Sequence, residues 1–319
     1  MILSVVIPTR DKHALLARTL DALGKQEGVG EPWEVVVVND GSSDGTARLL
    51  AELAGEPGSR LKVVDDGRAT GRAGARQRGW RAAAGRWVLF LDDDILAPAG
   101  LLAAHLRILR ENPRCGTIGR VVTEPVLVDA PHFHYLDSRG VAKVKRGFVP
   151  ARYFVTQNAA VPREALEAVG GFDTRFLGWG LEDMELGFRL EDLAGLRFLA
   201  VTEPLPRHAH HHTLAQLLAK KRECGAGSLP LLADRHPGRV REMRLHWVID
   251  APAGARPPWS VRLARRAAQG WPAACLEALL ARWPAARGGP LCPGLYARGM
   301  DILMLCAYRQ GLARGLTLS

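Results

Sequence analysis

Short apolar runs alternate with segments of helical hydrophobic spacing over residues 1–119. The runs are rich in valine, leucine and isoleucine, whereas the segments that follow them place apolar residues on one helix face. The predicted strands are 3–8, 34–38, 61–64 and 87–91, and the predicted helices are 12–23, 46–53, 73–84 and 101–109. Continuous apolar strands separated by helices are typical of a parallel sheet buried on both faces. We therefore expect a doubly wound, mostly parallel α/β sheet.

The alternation ends near residue 119. Residues 120–160 hold scattered β-forming residues interrupted by prolines, which predicts irregular strands and loops. Further elements are predicted as helices at 163–169, 182–193 and 214–223 and a strand at 196–201. Beyond Pro237 no strand alternation remains, and helical patches lie between prolines. The predicted domains are an α/β domain at 1–234, with halves at 1–119 and 120–234, and a basic, mainly helical C-terminal appendage at 235–319.

Positive charge is concentrated at the end of the chain. Of a net charge of +10, residues 235–319 carry +9, with 13 arginines and four acidic residues. A short helix at 259–266 combines a tryptophan and aliphatic residues with three arginines, and the next helix carries an apolar stripe. The stripe consists of Leu276, Leu279, Leu280 and Trp283. Either this region contacts an anionic membrane surface, or the stripe packs on the α/β domain and the arginines are solvated.

Composition and cysteine spacing limit the class of protein. Of 319 residues 47% are hydrophobic and 24% are charged, which excludes a largely disordered chain. The five cysteines lie far apart without a CxxC pair, which argues against a disulfide framework and favours a reducing cytosol. No apolar run approaches the roughly 20 residues that span a bilayer, and the start lacks the basic segment of a signal peptide. We expect a cytoplasmic protein whose only membrane association is peripheral, and no nucleic-acid partner.

Polar clusters follow three of the predicted strands. They are Pro8-Thr9-Arg10-Asp11, the turn sequence 39–45 that contains Asp40, and Asp92-Asp93-Asp94. Open α/β sheets bind ligands at the carboxyl ends of their strands, although a turn with a helix cap would also explain the second cluster. Three adjacent carboxylates repel one another unless a cation or donors neutralise them. A divalent cation with a bound diphosphate would do so, because Mg²⁺ and Mn²⁺ bind carboxylate and phosphate oxygens together.

The glycine-rich segment 71–79 opens the third predicted helix. It departs from the GxGxxG pattern, which disfavours a dinucleotide-binding dehydrogenase. Its small residues allow close packing, and Arg72 and Arg76 could face either a phosphate or the acidic cluster.

Two later segments also carry polar chemistry. Glycines around Trp179 indicate a flexible loop whose ring could stack on a sugar, and Glu182 and Asp183 follow in the first turn of a helix. Acidic residues at that position are common as helix caps, and the helix N-terminus is expected to lower the pKa of Asp183. The histidine-rich segment 207–212 is either solvent-exposed or completes a metal site with carboxylates from elsewhere.

The order of these motifs resembles that of family 2 glycosyltransferases with the GT-A fold. The motifs are 4–9, 38–46, 71–79, 91–94 and 178–183, and the resemblance covers about residues 1–225. It implies inverting transfer of a sugar from a nucleotide-sugar, usually a UDP-sugar, to an acceptor hydroxyl. The acceptor would be a glycan, a lipid-linked sugar or a small molecule. The cofactor would be Mn²⁺ or Mg²⁺.

The resemblance also implies roles for individual residues. Pro8, Thr9 and Arg10 would line the nucleotide site, Asp40 would bind the base, Asp66 or Asp65 would approach the nucleoside, and Arg72, Arg76 and Trp179 would contact the donor. Asp92, Asp93 and Asp94 match the DxD element, with one carboxylate toward the ribose and another, Asp94 or Asp92, on the metal. Asp183 matches the general base, with Glu182 beside it, and His208 matches a metal or diphosphate ligand.

Three departures from the family pattern leave details open. Gln77 stands where asparagine is usual, the triple aspartate leaves the working pair undefined, and His210 and His211 compete with His208 as the metal ligand.

Two other functions remain open. A haloacid-dehalogenase-type phosphatase also places aspartates after a strand. In that class the strand is the first of the chain, whereas here it is the fourth. In addition, Leu96 stands where threonine or valine is expected. A catalytically inactive sugar-nucleotide-binding protein or scaffold is the second alternative. The presence of Asp40, the acidic triad and Asp183 argues against it.

Overall fold

A computed structural model describes residues 1–125, 130–144, 147–210, 212–243, 245, 248–249, 259–286 and 289–315. The chain divides into two compact units. The first unit comprises residues 1–127, 137–175 and 182–211, and the second comprises 128–136, 176–181 and 212–319. The domain boundary predicted after residue 234 stays a prediction.

The described elements are as follows in chain order. The strands are β1 Leu3–Thr9, β2 Trp33–Asn39, β3 Leu61–Val64, β4 Trp87–Leu91, β5 Ile95–Leu96, β6 Cys115–Gly119, β7 Val122–Thr123, β8 Phe148–Val149, β9 Asn158–Pro162, β10 Arg197–Val201, β11 Arg207–His208, β12 Ala285–Ala286 and β13 Gly289–Pro290. The helices are α1 His13–Gly24, α2 Thr46–Ala54, α3 Gly71–Ala82, α4 Leu101–Glu111, α5 Pro131–Asp137, α6 Arg163–Val169, α7 Glu182–Asp192, α8 Leu214–Ala226, α9 Ser228–Arg235, α10 Pro237–Glu242, α11 Trp259–Gln269, α12 Trp271–Ala281 and α13 Pro293–Gly315.

The first unit is built on an eight-stranded sheet with the order β3-β2-β1-β4-β9-β6-β10-β8. Strands β1 to β4 are mutually parallel, and β10 is parallel to β6. Strand β9 is antiparallel to both β4 and β6, and β8 is antiparallel to β10. The α/β architecture with a mostly parallel sheet and C-terminal helices is confirmed, and every predicted helix and strand is present within three residues of its predicted bounds.

Buried apolar side chains on both faces explain the continuous hydrophobic strands. Val5 and Ile7 of β1 belong to a core cluster with Leu16 of α1 and Leu102 of α4. The neighbouring Val6 contacts the opposite layer, where a Cβ on Gly79 of α3 would lie 2.4 Å from its Cγ1. The small residues of α3 therefore permit close packing on the sheet.

Strands β6 and β9 were not predicted from the sequence. Both are rich in glycine or alanine and lack the valine-rich runs of β1 and β2, although Ala159 and Ala160 are fully buried. A Cβ on Gly119 would lie 1.9 Å from Nδ2 of Asn158, so a larger residue there would displace the buried side chain of Asn158. These central strands therefore contain small residues, which leave no strong hydrophobic pattern in the sequence.

The parallel arrangement brings the polar strand ends to one edge of the sheet. Thr9 at the end of β1 is in register with Asn39 at the end of β2, and β1 also pairs with β4 on its other side. The clusters that follow β1, β2 and β4 therefore meet at this edge.

The second unit has its own core, centred on α8 and α13. Its buried members include Leu218, Met300 and Leu280, against which Leu276 and Trp283 pack, whereas Leu279 is exposed. The helices approach closely at two glycines. A Cβ on Gly225 would lie 2.2 Å from the carbonyl oxygen of Tyr308, and one on Gly311 would lie 1.8 Å from that of Arg222. Most of the predicted leucine stripe thus packs within this unit.

His105 of α4 provides a test of the core of the first unit. It is fully buried, with Nδ1 2.8 Å from Oγ1 of Thr117 and Nε2 3.0 Å from Oδ1 of Asn158. Burial lowers the pKa of His105 to about 4. The unfolded chain therefore takes up a proton at higher pH than the folded chain, so this group reduces stability as the pH falls from its ordinary pKa toward 4.

We expect His105→Gln to remove this acid sensitivity. The variant loses hydrogen bonds and is less stable at neutral pH, but its stability deficit shrinks by about 2 kcal/mol on acidification to about pH 4.5. Urea unfolding at both pH values measures the two deficits. His13→Gln, at a half-buried position, is the matched control. A deficit for His105→Gln that does not change with pH would contradict the assignment.

Candidate active site

Asp93 is buried at the end of β4 and is held by residues that follow β1. Oγ1 of Thr9 donates a hydrogen bond to its Oδ2 at 2.8 Å, and Nζ of Lys12 lies 3.2 Å from its Oδ1. Burial raises the pKa of Asp93 to about 6 despite the nearby ammonium. The segments at the carboxyl ends of β1 and β4 are therefore in direct contact.

Asp94 is also buried but has a different electrostatic environment. Nζ of Lys12 lies 2.5 Å from its Oδ2, and Nε2 of His208 in β11 lies 3.2 Å from its Oδ1. Burial by itself would raise the pKa of Asp94, but His208 and Lys12 outweigh it and hold the pKa well below its ordinary range. Adjacent carboxylates of one turn thus have opposite pKa shifts.

Arg76 of α3 joins the acidic cluster to the start of α7. Its buried guanidinium donates from Nη2 to Oδ1 of Asp92 and from Nη1 to Oε1 of Glu182, both at 2.8 Å. Of the two alternatives for this residue, a phosphate or the acidic cluster, it faces the carboxylates here. Both carboxylates gain a fixed partner, since a planar guanidinium can bind two acids at once.

Asp183 is half-buried in the first turn of α7. Burial, followed by the charge of Glu182, raises the pKa of Asp183 to about 7. The expectation that the helix N-terminus would lower this pKa is wrong. The backbone N–H of Met184 and the charge of Arg76 do favour the ionised form, but desolvation and the neighbouring carboxylate outweigh them.

Asp40 caps α3. Its Oδ1 accepts hydrogen bonds from the backbone N–H and Oγ1 of Thr70, both at 2.8 Å, and its Oδ2 accepts from the backbone N–H of Gly71 at 2.9 Å. Nη2 of Arg78 adds a contact to Oδ1 at 2.7 Å. This buried carboxylate is therefore engaged within the chain, at the start of a helix distant in sequence. Its contact with a nucleotide base stays a prediction.

The remaining residues that were predicted to contact the nucleotide-sugar lie around the same sheet edge. Asp66 is exposed and pairs with Arg78, and Asp65 accepts from Nδ2 of Asn39 at 2.7 Å. Arg10 and Arg72 are exposed, and Pro8 is half-buried next to Thr9. Their contacts with a nucleotide stay predictions.

Trp179 belongs to the second unit. Its ring is half-buried, and Nζ of Lys221 lies 4.5 Å from the ring centroid, with Nζ of Lys220 at 5.5 Å. The backbone N–H of Trp179 donates to Oε1 of Glu223 at 3.0 Å. An ammonium over the ring is a cation–π contact. The predicted stacking of this ring on a sugar stays a prediction.

Lys12 and Arg78 were not predicted from the sequence. Lys12 binds Asp93 and Asp94, and Arg78 binds Asp40. Both lie close to predicted site residues, Lys12 three positions beyond Thr9 and Arg78 two beyond Arg76. Because the strand-end rule places the segment after β1 beside the acidic triad, it was the available signal for Lys12.

His208 contacts Asp94 of the acidic triad. Its ring centroid lies 6.5 Å from that of His210, and the third histidine proposed from the sequence, His211, lies outside the described residues.

The residues around Asp94 fit a divalent metal ion. Within the described residues no group of three or more histidine, cysteine or acidic side chains forms a ready metal site. However, the buried Oδ1 of Asp94 has no well-oriented hydrogen-bond donor, and Nε2 of His208 lies 3.2 Å away. A carboxylate and an imidazole are suitable ligands for Mn²⁺, and Mg²⁺ is usually held by one or two carboxylates together with substrate phosphates.

Comparison with known proteins identifies the class. The sequence profile of Glycosyl transferase family 2 matches residues 4–170, and that of the N-terminal domain of galactosyltransferase matches residues 142–213. This chain belongs to glycosyl transferase family 2. The resemblance proposed from the motifs is confirmed.

Similar curated proteins are named as glycosyltransferases. Validoxylamine A glucosyltransferase of Streptomyces hygroscopicus subsp. limoneus is 32% identical over 284 residues, which cover 78% of this chain and 59% of that protein. The uncharacterized glycosyltransferase YfnE of Bacillus subtilis is 24% identical over 299 residues, covering 78% of this chain and 74% of that protein. The chain thus spans about 59% of the length of the first of these relatives.

Solved structures share the fold. The mannosyltransferase PcManGT from Pyrobaculum calidifontis, in complex with GDP-Man and Mn²⁺, has a TM-score of 0.63 at 23% identity, covering 98% of this chain and 86% of that one. S. aureus TarS 1–349 in complex with UDP-GlcNAc has a TM-score of 0.54 at 16% identity, covering 99% and 92%. These similarities establish the GT-A type fold.

The raised pKa of Asp183 predicts a stabilising substitution. A carboxyl whose folded pKa exceeds its unfolded value favours folding below the unfolded pKa, and this contribution is lost as the pH rises through the folded pKa. Asp183→Asn removes the cost of burying the charge. We expect the variant to exceed the wild type in unfolding free energy by a few kcal/mol at about pH 8, at about 1.4 kcal/mol per pKa unit, and by much less at about pH 4.5.

Thermal and urea unfolding at the two pH values test this expectation. Asp192→Asn, at an exposed position at the other end of α7, serves as the control and is expected to change stability little. Equal effects of Asp183→Asn at both pH values would show that its charge is not destabilising.

Proposed function

We propose that this chain is an inverting glycosyltransferase that moves a sugar from a UDP-sugar to an acceptor hydroxyl, with Asp183 as the general base. The observation that carries the proposal is the position of Arg76, which binds both Asp92 of the acidic triad and Glu182, the neighbour of Asp183. Two shifted pKa values support it. The pKa of Asp94 is held low beside His208, whereas the pKa of Asp183 is raised to about 7. Carboxyl groups whose pKa values are shifted in opposite directions are typical of active sites in which one group stays ionised and the other transfers a proton.

Asp183 accepts the proton of the acceptor hydroxyl in this proposal. A hydroxyl with a pKa far above 7 needs a base within hydrogen-bond reach as it attacks the anomeric carbon. Attack from the face opposite the leaving nucleotide inverts that carbon in one displacement. A base whose pKa lies near neutral is well matched to this task, because it is ionised at working pH and still takes up a proton readily.

Arg76 orients the two acidic segments in the proposed mechanism. Its two 2.8 Å contacts fix Asp92 of the triad and Glu182, the neighbour of the base. Glu182 therefore acts through position and charge, raising the pKa of Asp183 as a nearby carboxylate does. This leaves Asp183 as the carboxyl of the pair available for proton transfer.

Asp94 and His208 would hold a divalent ion, Mn²⁺ or Mg²⁺, and Asp92 is the alternative carboxylate that the sequence left open. That ion supplies Lewis-acid neutralisation of the charge that develops on the departing diphosphate. The metal in the PcManGT complex supports this assignment by similarity of fold.

The other residues predicted for the donor would line its nucleotide and sugar portions. They are Pro8, Thr9, Arg10, Asp40, Asp66, Arg72 and Asp93. The UDP-GlcNAc bound to TarS supports a UDP-sugar, whereas the GDP-Man bound to PcManGT supports the nucleotide-sugar class alone.

The acceptor is proposed as a class. Relatives named for validoxylamine A and for undecaprenyl-linked substrates support a small-molecule, glycan or lipid-linked acceptor. A cytoplasmic location is proposed with it, where nucleotide-sugars are made.

Release of nucleotide from a panel of nucleotide-sugars tests the proposed reaction. We expect turnover of one UDP-sugar in Mn²⁺ and its loss in EDTA. Asp183→Asn should lower kcat by a factor on the order of 10²–10⁴ with donor affinity near that of wild type, because only proton transfer is removed. Asp192→Asn is again the control. A highly active Asp183→Asn variant would reassign the base, and full activity in EDTA would exclude the metal.

A second proposal concerns a membrane surface that includes α11. Trp259 and Leu263 are 72% and 60% exposed, and Arg262 and Arg266 belong to the same helix at the spacing of one face. Arginines near anionic lipid gain roughly 1 kcal/mol each, and inserted apolar side chains add to this. No described helix is long and apolar enough to cross a bilayer. We propose that α11 lies on an anionic bilayer.

Liposome co-sedimentation tests this surface. We expect binding that rises with phosphatidylglycerol content and falls with salt, and that drops at least about tenfold in the double variant Trp259→Ser, Leu263→Ser. Leu193→Ser, at a 72% exposed leucine of the first unit, is the matched control. If the wild-type protein does not co-sediment with anionic vesicles at low salt, the proposal is wrong.

A further inference from the structure

Lys12 provides a cation within the acidic triad. Its Nζ lies 3.2 Å from Oδ1 of Asp93 and 2.5 Å from Oδ2 of Asp94, and so contacts both buried carboxylates at once. The residue stands between the end of β1 and the start of α1, which fixes its backbone beside the carboxyl end of β4. Lys12 is thus built into the site through the fold itself.

The charges around the triad are divided among three basic side chains. Arg76 binds Asp92, His208 lies beside Oδ1 of Asp94, and the ammonium of Lys12 takes the remaining Oδ2 of Asp94 together with Asp93. A divalent ion held by Asp94 and His208 would therefore come close to an ammonium that binds the same carboxylate. Two positive charges on the same carboxylate repel each other strongly in a buried site.

The side chain of Lys12 can leave these carboxylates. It is 28% exposed, whereas those of Asp93 and Asp94 are 8% and 5% exposed. Its flexible four-carbon stem carries a compact ammonium that also binds phosphate oxygens as a point charge. An anionic diphosphate entering with the metal would give the displaced ammonium a new partner.

We propose that Lys12 competes with the divalent ion for Asp94, so that the metal binds weakly alone and tightly only together with the nucleotide diphosphate. This proposal rests on the proposed function for the identity of the metal site. It assigns to Lys12 the coupling between metal and donor binding. A purely structural Lys12 would neutralise the triad without opposing the metal.

Titration of Mn²⁺ without nucleotide, followed by electron paramagnetic resonance of the free ion, separates these two roles. Lys12→Gln should bind Mn²⁺ at least about tenfold more tightly than wild type, because the competing charge is gone and Asp94, which lies beside His208, keeps its own charge. Addition of UDP should then increase Mn²⁺ affinity less in Lys12→Gln than in wild type. Unchanged or weaker Mn²⁺ binding by the variant would overturn the proposal.

Lys25→Gln is the matched control. Nζ of Lys25 lies 2.6 Å from Asp21 in an exposed pair of α1, so this substitution makes the same change of charge away from the triad. We expect its Mn²⁺ affinity to equal that of wild type.

A measurement on the wild-type protein covers the case in which Lys12→Gln fails to fold. Acetylation by an N-hydroxysuccinimide ester, read by mass spectrometry, reports how freely each ammonium is exposed. Saturating Mg²⁺ alone should raise the labelling rate of Lys12 severalfold over EDTA while that of Lys25 stays constant. No increase at Lys12 would overturn the proposal. Both readouts are independent of sugar transfer, so an inactive protein would refute the proposed function and leave this competition standing.

Discussion

Neutralisation of three consecutive carboxylates at the end of β4 is the constraint on which the site depends. Asp93 and Asp94 are buried, and a buried carboxylate is costly unless it is paired and hydrogen-bonded. The partners come from three different parts of the chain: Lys12 after β1, Arg76 in α3 and His208 in β11. Only the folded sheet brings these three residues together. The charge balance of the site therefore depends on the topology of the first unit.

Helix α3 connects this constraint to the packing of the sheet. Gly79 lets the helix approach Val6 closely, and Asp40 caps its first turn, so its axis is fixed at both ends. Arg76, between these points, can therefore hold Asp92 and Glu182 with a buried guanidinium. A helix that merely covered the sheet would not need glycine at one end and a buried aspartate at the other.

Sequence patterns predicted the elements that depend on local hydrophobicity and missed those that depend on distant contacts. The valine-rich strands and the acidic triad were visible because each is a run of similar residues. Strand β9 was missed because it has no valine-rich run. Its Asn158 side chain packs against Gly119, a contact that only the folded chain forms. The direction of the pKa shift of Asp183 was predicted wrongly because desolvation, the largest cause of the raised pKa, arises from tertiary structure, whereas the helix N-terminus is visible in the sequence.

The same tertiary contacts divide the triad, which sequence alone left ambiguous. Asp92 is committed to Arg76, Asp93 accepts from Thr9 and has a raised pKa, and Asp94 faces His208 with its pKa held low. An ionised carboxylate beside an imidazole is the better metal ligand, since a ligand must be deprotonated to bind. This distribution favours Asp94 for the metal in the proposed mechanism. Asp93, whose charge is the costlier to maintain, is the carboxylate that most needs the ammonium of Lys12.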